Sequence, residues 1–361
     1  MSKRLVVCCD GTWNTPDQQA RTNVTKLALA VATKDSAGRD QHVLYHRGVG
    51  TNRGERLRGG AFGVGLSRDV VDVYRFLVQT FEPGDELFFF GFSRGAFTAR
   101  STVGFIRNCG ILRREHADRA GEAYALYRSR AKSRHPRNTE AVLFRRSYSH
   151  ETRIRFIGVW DTVGSLGIPL NGLRWLNPLN RRWQFHDTEL SSTVDAAFQA
   201  LAIDEKRPPF RPAIWHQSST ANGQRLEQVW FAGVHCDVGG GYLEPALAEI
   251  PLLWMVHRAQ AEGLHFKPDA FTPLPLDAAE TQRHTGGQVS PDALGKMHES
   301  WTGFYRLLPP FRPFHRCLGK TDAGHEHVAS SAEERYWKDT TYRPPRLTAY
   351  LGRDHENIMP V

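Results

Sequence analysis

The sequence lacks any hydrophobic run long enough to cross a membrane. A transmembrane helix needs about 18 or more consecutive apolar residues, but the longest apolar stretches, 87–92 and 251–256, have the size of a strand or short helix. After the basic residues Lys3 and Arg4, only about five apolar residues precede Asp10, fewer than the roughly 7–15 of a signal-peptide core. We therefore expect a cytoplasmic protein, and export by a route without a signal peptide stays open.

Cysteines are few and unpaired. The chain has five, Cys8, Cys9, Cys109, Cys236 and Cys317, and none of them form a Cys-x-x-Cys pair. An odd number at scattered positions argues against a disulfide framework and against a zinc site built on paired cysteines. We expect no metal and no cofactor.

Acidic residues are fewer than basic ones. The chain has 38 Asp and Glu and 47 Lys and Arg, which gives a net charge of +9. The excess is concentrated between Arg113 and Arg155, where twelve basic residues face five acidic ones. This pattern is typical of a solvated helical face, and it also suits peripheral contact with an anionic membrane. No recognised nucleic-acid motif accompanies the charge, so nucleic acid is not an expected partner.

The composition is that of a globular protein, with 40% hydrophobic and 24% charged residues. Predicted strands alternate with predicted helices, which favours an α/β fold with a mostly parallel sheet covered on both faces. We predict one domain over 1–361, with a core at about 1–262, an insertion at about 108–150 and a C-terminal extension at about 263–361. The predicted strands are 4–9, 41–46, 87–90, 154–160 and 226–234, the predicted helices are 67–81, 96–107, 114–132, 191–201 and 245–262, and loops are predicted at 48–65 and 166–182.

The most informative motif is Gly91-Phe92-Ser93-Arg94-Gly95, which has the pattern Gly-x-Ser-x-Gly. An apolar strand precedes it and a predicted helix follows, which is the setting that a nucleophile elbow requires. The flanking glycines suit a turn too tight for larger side chains. A serine that merely caps the helix is the alternative interpretation.

A serine nucleophile needs a base, and the base needs a carboxylate to orient it. In an open α/β sheet, both should follow later strands at their carboxyl ends. Asp161 and His235 do so, and the order Ser, Asp, His is that of α/β-hydrolases. Asp237 competes with Asp161 for the acid role, and His355 is the alternative base.

Acyl transfer also requires donors for an oxyanion. One should be the backbone N–H of Arg94, immediately after the nucleophile. The second is expected from Gly11 or Thr12, in the loop that follows the first strand.

Two other chemistries are alternative interpretations of a site that includes the motif Asp10-Gly11-Thr12. Haloacid-dehalogenase-type phosphatases carry Asp-x-Asp-Gly-Thr after their first strand, but Cys8 stands where their nucleophilic aspartate would be. Alternatively, Asp10, Asp161, His235 and Asp237 could gather a hard metal ion for metal-dependent hydrolysis. A non-catalytic binding or scaffold protein on a hydrolase fold is a further alternative.

Four segments, 6–14, 91–96, 159–164 and 233–242, together resemble the DUF2235 family, whose Tle1-like branch comprises catalytic domains of type VI secretion lipase effectors. The resemblance spans most of 1–260. It implies an α/β-hydrolase fold and ester hydrolysis, with phospholipase activity in the effector branch. Carried over by motif, Ser93 is the nucleophile, His235 the base and Asp161 the orienting acid.

These observations predict a serine hydrolase acting on carboxylic esters, with lipid or phospholipid acyl esters as the expected substrates. The loop around Leu170, Trp175 and Trp183 is expected to line an acyl pocket. An immunity protein is an expected partner only if the chain is a secreted effector.

Overall fold

The computed structural model describes residues 2–11, 14–15, 17–48, 61–129, 131, 135–163, 189–218, 221, 223–273, 288–307, 312–319, 324–352 and 357–361. Within these ranges, the strands are numbered in chain order: β1 Arg4–Cys9, β2 Gln41–His46, β3 Glu86–Phe92, β4 Ile111–Leu112, β5 Ser149–His150, β6 Ile154–Trp160, β7 Glu189–Leu190, β8 Val194–Ala202, β9 His216–Gln217, β10 Arg225–Phe231, β11 Thr272–Pro273, β12 Gln288–Val289, β13 Glu326–Ala329 and β14 Ile358–Met359. The α-helices are α1 Asn23–Ala30, α2 Ala61–Thr80, α3 Arg94–Cys109, α4 Ala120–Arg128, α5 Thr139–Tyr148, α6 His235–Gly239, α7 Ala246–Ala261, α8 Ser330–Lys338 and α9 Pro345–Leu351, and 3-10 turns lie at Arg114–Arg119, Pro208–Phe210 and Gly303–Leu307.

The centre of the molecule is an eight-stranded sheet in the order β14-β13-β10-β8-β6-β3-β1-β2. Every neighbouring pair in it is parallel. The α/β fold with a parallel sheet is therefore confirmed. The first two strands in this order, β14 and β13, come from the C-terminal extension, where the sequence predicts no element.

Both faces of the sheet are buried, as the side chains of β1 illustrate. Leu5, Val7 and Cys9 point into one apolar cluster, whereas Val6 and Cys8 point into the other. Helices α2, α3, α4 and α5 cover the first cluster, while α1, α7, α8 and α9 cover the second. A strand buried on both faces reads as a continuous apolar run, which is why β1 and β3 are visible in the sequence.

The predicted helix at 191–201 is wrong, because this segment forms the central strand β8. Its small apolar residues are buried between β6 and β10, where side chains on both faces are packed. The predicted basic helix at 114–132 is a 3-10 turn followed by the shorter α4, with a non-helical His116 at the kink. The predicted loop at 48–65 is wrong from residue 61 onward, because α2 already begins at Ala61. Residues 49–60 lie outside the described residues, as does the predicted loop at 166–182.

Strand register brings the candidate residues to one edge of the sheet. Phe92, the last residue of β3, pairs with Trp160, the last residue of β6. Trp160 pairs in turn with Ala200 of β8, and Ala202 of β8 pairs with Phe231, which ends β10. Because the strands are parallel and end together, the loops that follow them meet at the carboxyl edge. In the described part of the chain, no helix combines the length and apolar character that membrane crossing requires.

Candidate active site

Ser93 occupies the turn between β3 and α3 in a conformation that is rare for a residue with a side chain. Its φ is 57° and its ψ is −118°, and its side chain makes no capping hydrogen bond to α3. The turn is anchored by the Ser93 N–H, which donates to the Trp160 carbonyl at 3.1 Å. Backbone strain at a non-glycine residue is typical of functional sites and is maintained by the structure around it.

The flanking glycines of the motif are required by close backbone contacts. A Cβ on Gly91 would lie 2.6 Å from the Cα of Ala96, and a Cβ on Gly95 would overlap the carbonyl oxygen of Cys9. The start of α3 therefore packs directly on the end of β1. Only glycine allows this approach, which explains why the Gly-x-Ser-x-Gly pattern folds as a tight turn here.

Asp161 and His235 are in direct contact. Asp161 directly follows β6, and His235 is the first residue of α6, just beyond β10. The Oδ2 of Asp161 lies 2.5 Å from Nδ1 of His235, and both side chains are buried. Asp161 also has a positive φ of 42°, so a second strained residue lies at this edge.

The environment separates the charge states of the two groups. Burial alone would raise the pKa of Asp161, but the Arg316 cation and the hydrogen bond from His235 outweigh it, and the pKa of the carboxyl is lowered. Burial lowers the pKa of His235, and Asp161 offsets this only in part. At neutral pH the pair is therefore a carboxylate and a neutral imidazole, the states in which a base and its orienting acid operate.

Two aromatic rings shield the imidazole. The Phe92 ring centroid lies 4.6 Å from that of His235, and the Phe210 ring lies 4.9 Å away at a steep angle. The backbone N–H of His235 donates to Glu205 at 3.3 Å. With Nδ1 bonded to Asp161, the imidazole keeps Nε2 as its second proton-transfer position.

Asp237, the alternative acid, lies against a different histidine. Its Oδ1 is 2.6 Å from Nδ1 of His298, and its Oδ2 accepts hydrogen bonds from the backbone N–H groups of Val234 and His298. Tyr242 stacks on His298 with ring centroids 3.8 Å apart. Asp237 thus closes the first turn of α6 and ties it to the 298 segment, and of the two aspartates it is Asp161 that contacts His235.

The Asp10 carboxylate accepts hydrogen bonds from its own loop, from the start of helix α1 and from strand β2. Its Oδ2 accepts hydrogen bonds from the hydroxyls of Thr22, Thr25 and Tyr45, at 2.6, 2.9 and 2.6 Å. Its Oδ1 accepts the Gly11 N–H at 2.6 Å. Across the described residues, no cluster of three or more His, Cys, Asp or Glu side chains is arranged to hold a metal ion.

Two of the expected oxyanion donors, the backbone N–H groups of Arg94 and Gly11, lie in different surroundings. Arg94 begins α3, so its backbone N–H belongs to the first helical turn, where donors lack an intrahelical partner. Gly11 lies beside Ser93, since a Cβ on Gly11 would be 3.4 Å from the Ser93 Cβ, but its N–H is bonded to Asp10 in this conformation. Thr12 and His355 lie outside the described residues, as does the predicted acyl-pocket loop.

Sequence reasoning missed the residues that contact and support the Asp161–His235 pair. Arg316, Glu205 and Phe210 contact Asp161 or His235. Arg316 lies in the Pro-, His- and aromatic-rich extension, where no periodicity or motif singled it out. Its one sequence signal is weak, namely an arginine in a segment otherwise rich in aromatic residues.

Comparison with known proteins agrees with the resemblance seen in the motifs. Residues 3–258 match the family model described as the type VI secretion system phospholipase effector Tle1-like catalytic domain. An uncharacterized protein of Saccharomyces cerevisiae, YEL023C, is 29% identical over 231 residues, which cover 58% of this chain and 32% of that protein. The chain thus spans about a third of the length of this relative.

Two solved structures show lower similarity. An uncharacterized protein from Pseudomonas aeruginosa is 17% identical, with a TM-score of 0.45, covering 74% of this chain and 46% of that one. The Tle1 effector bound to the VgrG spike of the type 6 secretion system is 19% identical, with a TM-score of 0.39, covering 67% and 51%. Because the family match extends over more than half of the sequence, the chain belongs to the Tle1-like catalytic domain family of type VI secretion phospholipase effectors.

Proposed function

We propose that this protein is a serine hydrolase that cleaves carboxylic esters of lipids, with Ser93 as nucleophile, His235 as general base and Asp161 as orienting acid. The observation that carries the proposal is the strained Ser93 at the carboxyl edge of the sheet. Its N–H donates to Trp160, the residue before Asp161, and the ring of the preceding Phe92 contacts His235, so Ser93 lies close to the Asp161–His235 pair. The lipid substrate is proposed from membership of a family described as phospholipase effectors.

In the proposed first step, Nε2 of His235 takes the proton of the Ser93 hydroxyl as the oxygen attacks the acyl carbonyl carbon. The carbonyl oxygen becomes an oxyanion, which the backbone N–H of Arg94 stabilises. The protonated Nε2 then gives its proton to the leaving alcohol as the ester C–O bond breaks, and the acyl group stays on Ser93.

In the second step, water attacks the acyl-enzyme while His235 takes its proton. Collapse of the new oxyanion breaks the bond to Ser93, releases a carboxylic acid and returns the proton to the serine. Every proton transfer uses Nε2, because Nδ1 stays bonded to Asp161.

The test is hydrolysis of p-nitrophenyl esters of increasing acyl length, with phospholipid vesicles in parallel. Zwitterionic vesicles and vesicles containing an anionic lipid should be compared, because the basic stretch between Arg113 and Arg155 favours an anionic surface. We expect turnover by the wild-type protein and its loss in Ser93→Ala. Preference for long acyl chains or vesicles supports the lipid substrate, whereas turnover of short esters alone would indicate an ordinary esterase.

A matched control is Ser101→Ala, because Ser101 is also buried on α3 but hydrogen-bonds to Tyr127 instead of facing the site. It should retain the wild-type rate. Full activity of Ser93→Ala would contradict the proposed nucleophile. A folded wild-type protein without turnover on any ester would instead favour the binding or scaffold alternative.

A further inference from the structure

Arg316 is a buried cation in contact with the candidate acid of the site. It lies in the 312–319 segment, beyond the residues 3–258 that match the family catalytic domain. Its side chain has no exposed surface, and neither has that of Asp161. Its Nη1 donates to Oδ1 of Asp161, and its Nη2 donates to Oδ2 at 3.0 Å.

The two-pronged contact fixes the plane of the Asp161 carboxylate. Oδ1 also accepts the backbone N–H of Ala202 at 3.1 Å, and Oδ2 also contacts Nδ1 of His235 at 2.5 Å. Each carboxylate oxygen therefore has one bond from Arg316 and one from another group. A paired guanidinium–carboxylate contact of this kind sets orientation as well as energy, which a lysine ammonium does not reproduce.

The guanidinium is itself held by the protein backbone. Nη1 donates to the carbonyl of Ala202 at 2.8 Å, and Nη2 donates to the carbonyl of Phe210. Its Nε has no hydrogen-bond partner among the described residues. A buried ion pair with an unpaired donor contributes little net stability, because desolvation of both charges offsets their attraction. Stability alone is thus a poor explanation for an arginine here.

We propose that Arg316 is a positioning residue that holds the Asp161 carboxylate in the plane required by His235, so that the C-terminal extension completes the site. This inference rests on the proposed function. Arg316 does not touch the reacting atoms, and it acts through Asp161.

The same contact affects how the site titrates. The charged groups facing the Asp161–His235 pair are Arg316 from the C-terminal extension, together with Glu205 and Arg207 from the loop after β8. Removal of the Arg316 charge leaves the negative charge of Asp161 less compensated. His235 should then hold its proton more tightly, and Asp161 should protonate more readily, so both effects move the acid limb of the rate profile to higher pH.

The test is the pH dependence of kcat and KM for Arg316→Met and Arg316→Lys. We expect Arg316→Met to lower kcat by about 10²-fold, with KM changed by less than about threefold, and to move the acid limb to higher pH. Arg316→Lys keeps the positive charge but cannot make both hydrogen bonds of the guanidinium to the carboxylate. It should therefore lose about 10-fold in kcat and retain the acid limb of the wild-type protein. The matched control is Arg335→Met, since Arg335 is also buried and donates to two backbone carbonyls, those of Ala293 and Gly295.

A double-mutant cycle separates positioning from general support of the fold. Arg316→Met in an Asp161→Asn background should change kcat by less than about threefold, because the residue through which it acts is already altered. An equal loss in both backgrounds, or an unmoved acid limb, would overturn the inference. If Arg316→Met does not fold, Arg316→Lys decides, and wild-type kcat in that variant would overturn the inference.

The two proposals fail in different ways. If Ser93→Ala is inactive but Arg316→Met matches Arg335→Met, the serine hydrolase stands and the role of Arg316 falls. If Ser93→Ala retains turnover, the proposed function falls first.

Discussion

Nδ1 of His235 lies 2.5 Å from Oδ2 of Asp161, although 74 residues separate them in the chain. The two residues follow β6 and β10, and β8 runs between these strands. The Asp161 side chain reaches across the end of β8, where the Ala202 N–H donates to it. The pair therefore depends on three strands ending in register, and it is a product of the sheet rather than of local sequence.

Replacement of Asp161 should damage activity far more than replacement of Asp237. Asp161→Asn removes the carboxylate that holds Nδ1 of His235, and we expect kcat to fall by about 10⁴-fold, the loss seen for the orienting acid of a Ser-His-Asp triad. Asp237→Asn loosens α6 and its contact with His298, and we expect a loss of less than about 10-fold. Ester hydrolysis by both purified variants checks the order.

The two variants control for each other, because both change a buried aspartate that contacts a histidine. Thermal unfolding should be recorded for each. A larger kcat loss in Asp237→Asn would reassign the acid role to Asp237.

The rate should remain high at mildly acidic pH. Burial lowers the pKa of His235 below its ordinary value near 6.5, so the neutral base persists as the pH falls past that value. We expect kcat/KM to decline only below about pH 6.5, and a pH-rate profile on a soluble ester measures this directly.

Replacement of Phe210 should move the acid limb of the pH–rate profile, the pH range in which kcat/KM declines as His235 becomes protonated. Phe210→Ala removes a ring whose centroid lies 4.9 Å from that of the imidazole and admits water, so the acid limb of the kcat/KM profile should move to higher pH. Phe314→Ala, which removes a ring packed on Arg211, should leave the limb in place. If kcat/KM of the wild-type protein declined already above pH 6.5, the result would contradict a buried, neutral His235.

Gly95 should be irreplaceable in the turn. The methyl group of Gly95→Ala would overlap the backbone carbonyls of Cys9 and Asp10, which no side-chain motion can relieve. We expect a destabilisation of about 2–4 kcal/mol or failure to fold. Chemical denaturation measures the change.

The control is Gly121→Ala in α4, where a Cβ would meet nothing within 4 Å. Alanine is the better helix former there, so this variant should gain about 0.5–1 kcal/mol. Similar free energies of unfolding for the two variants would contradict the close packing of α3 on β1.

Much of the candidate site can be predicted from the sequence, because its residues directly follow short apolar strands. The sequence predicts the strands 4–9 and 154–160 with the observed bounds, since parallel strands buried on both faces form apolar runs. The strand 41–46 is also predicted with its observed bounds, although it lies at the edge of the sheet and is only partly buried. Asp161 and His235 were found by asking which polar residues follow such runs. The same reasoning failed at β8, where four alanines gave helical spacing and only burial between two neighbouring strands decides for a strand.

The contacts that the C-terminal extension makes with the candidate site could not be predicted from the sequence. Arg316 reaches Asp161 from 155 positions away, and Tyr342 donates to Asp204 at 2.8 Å from a similar separation. Such contacts depend on how the extension folds back over the carboxyl edge. A single sequence contains no local pattern that encodes this, because both contacts join residues that lie 155 and 138 positions apart in the chain.

The central claim is that Ser93 is the nucleophile, and the most direct measurement is labelling by a fluorophosphonate, followed by mass spectrometry of the intact protein and its peptides. We expect one phosphonyl group per chain, located on Ser93, with no labelling of Ser93→Ala and strongly reduced labelling of Asp161→Asn. A modification mapped to another residue, or unchanged labelling of Ser93→Ala, would contradict the account.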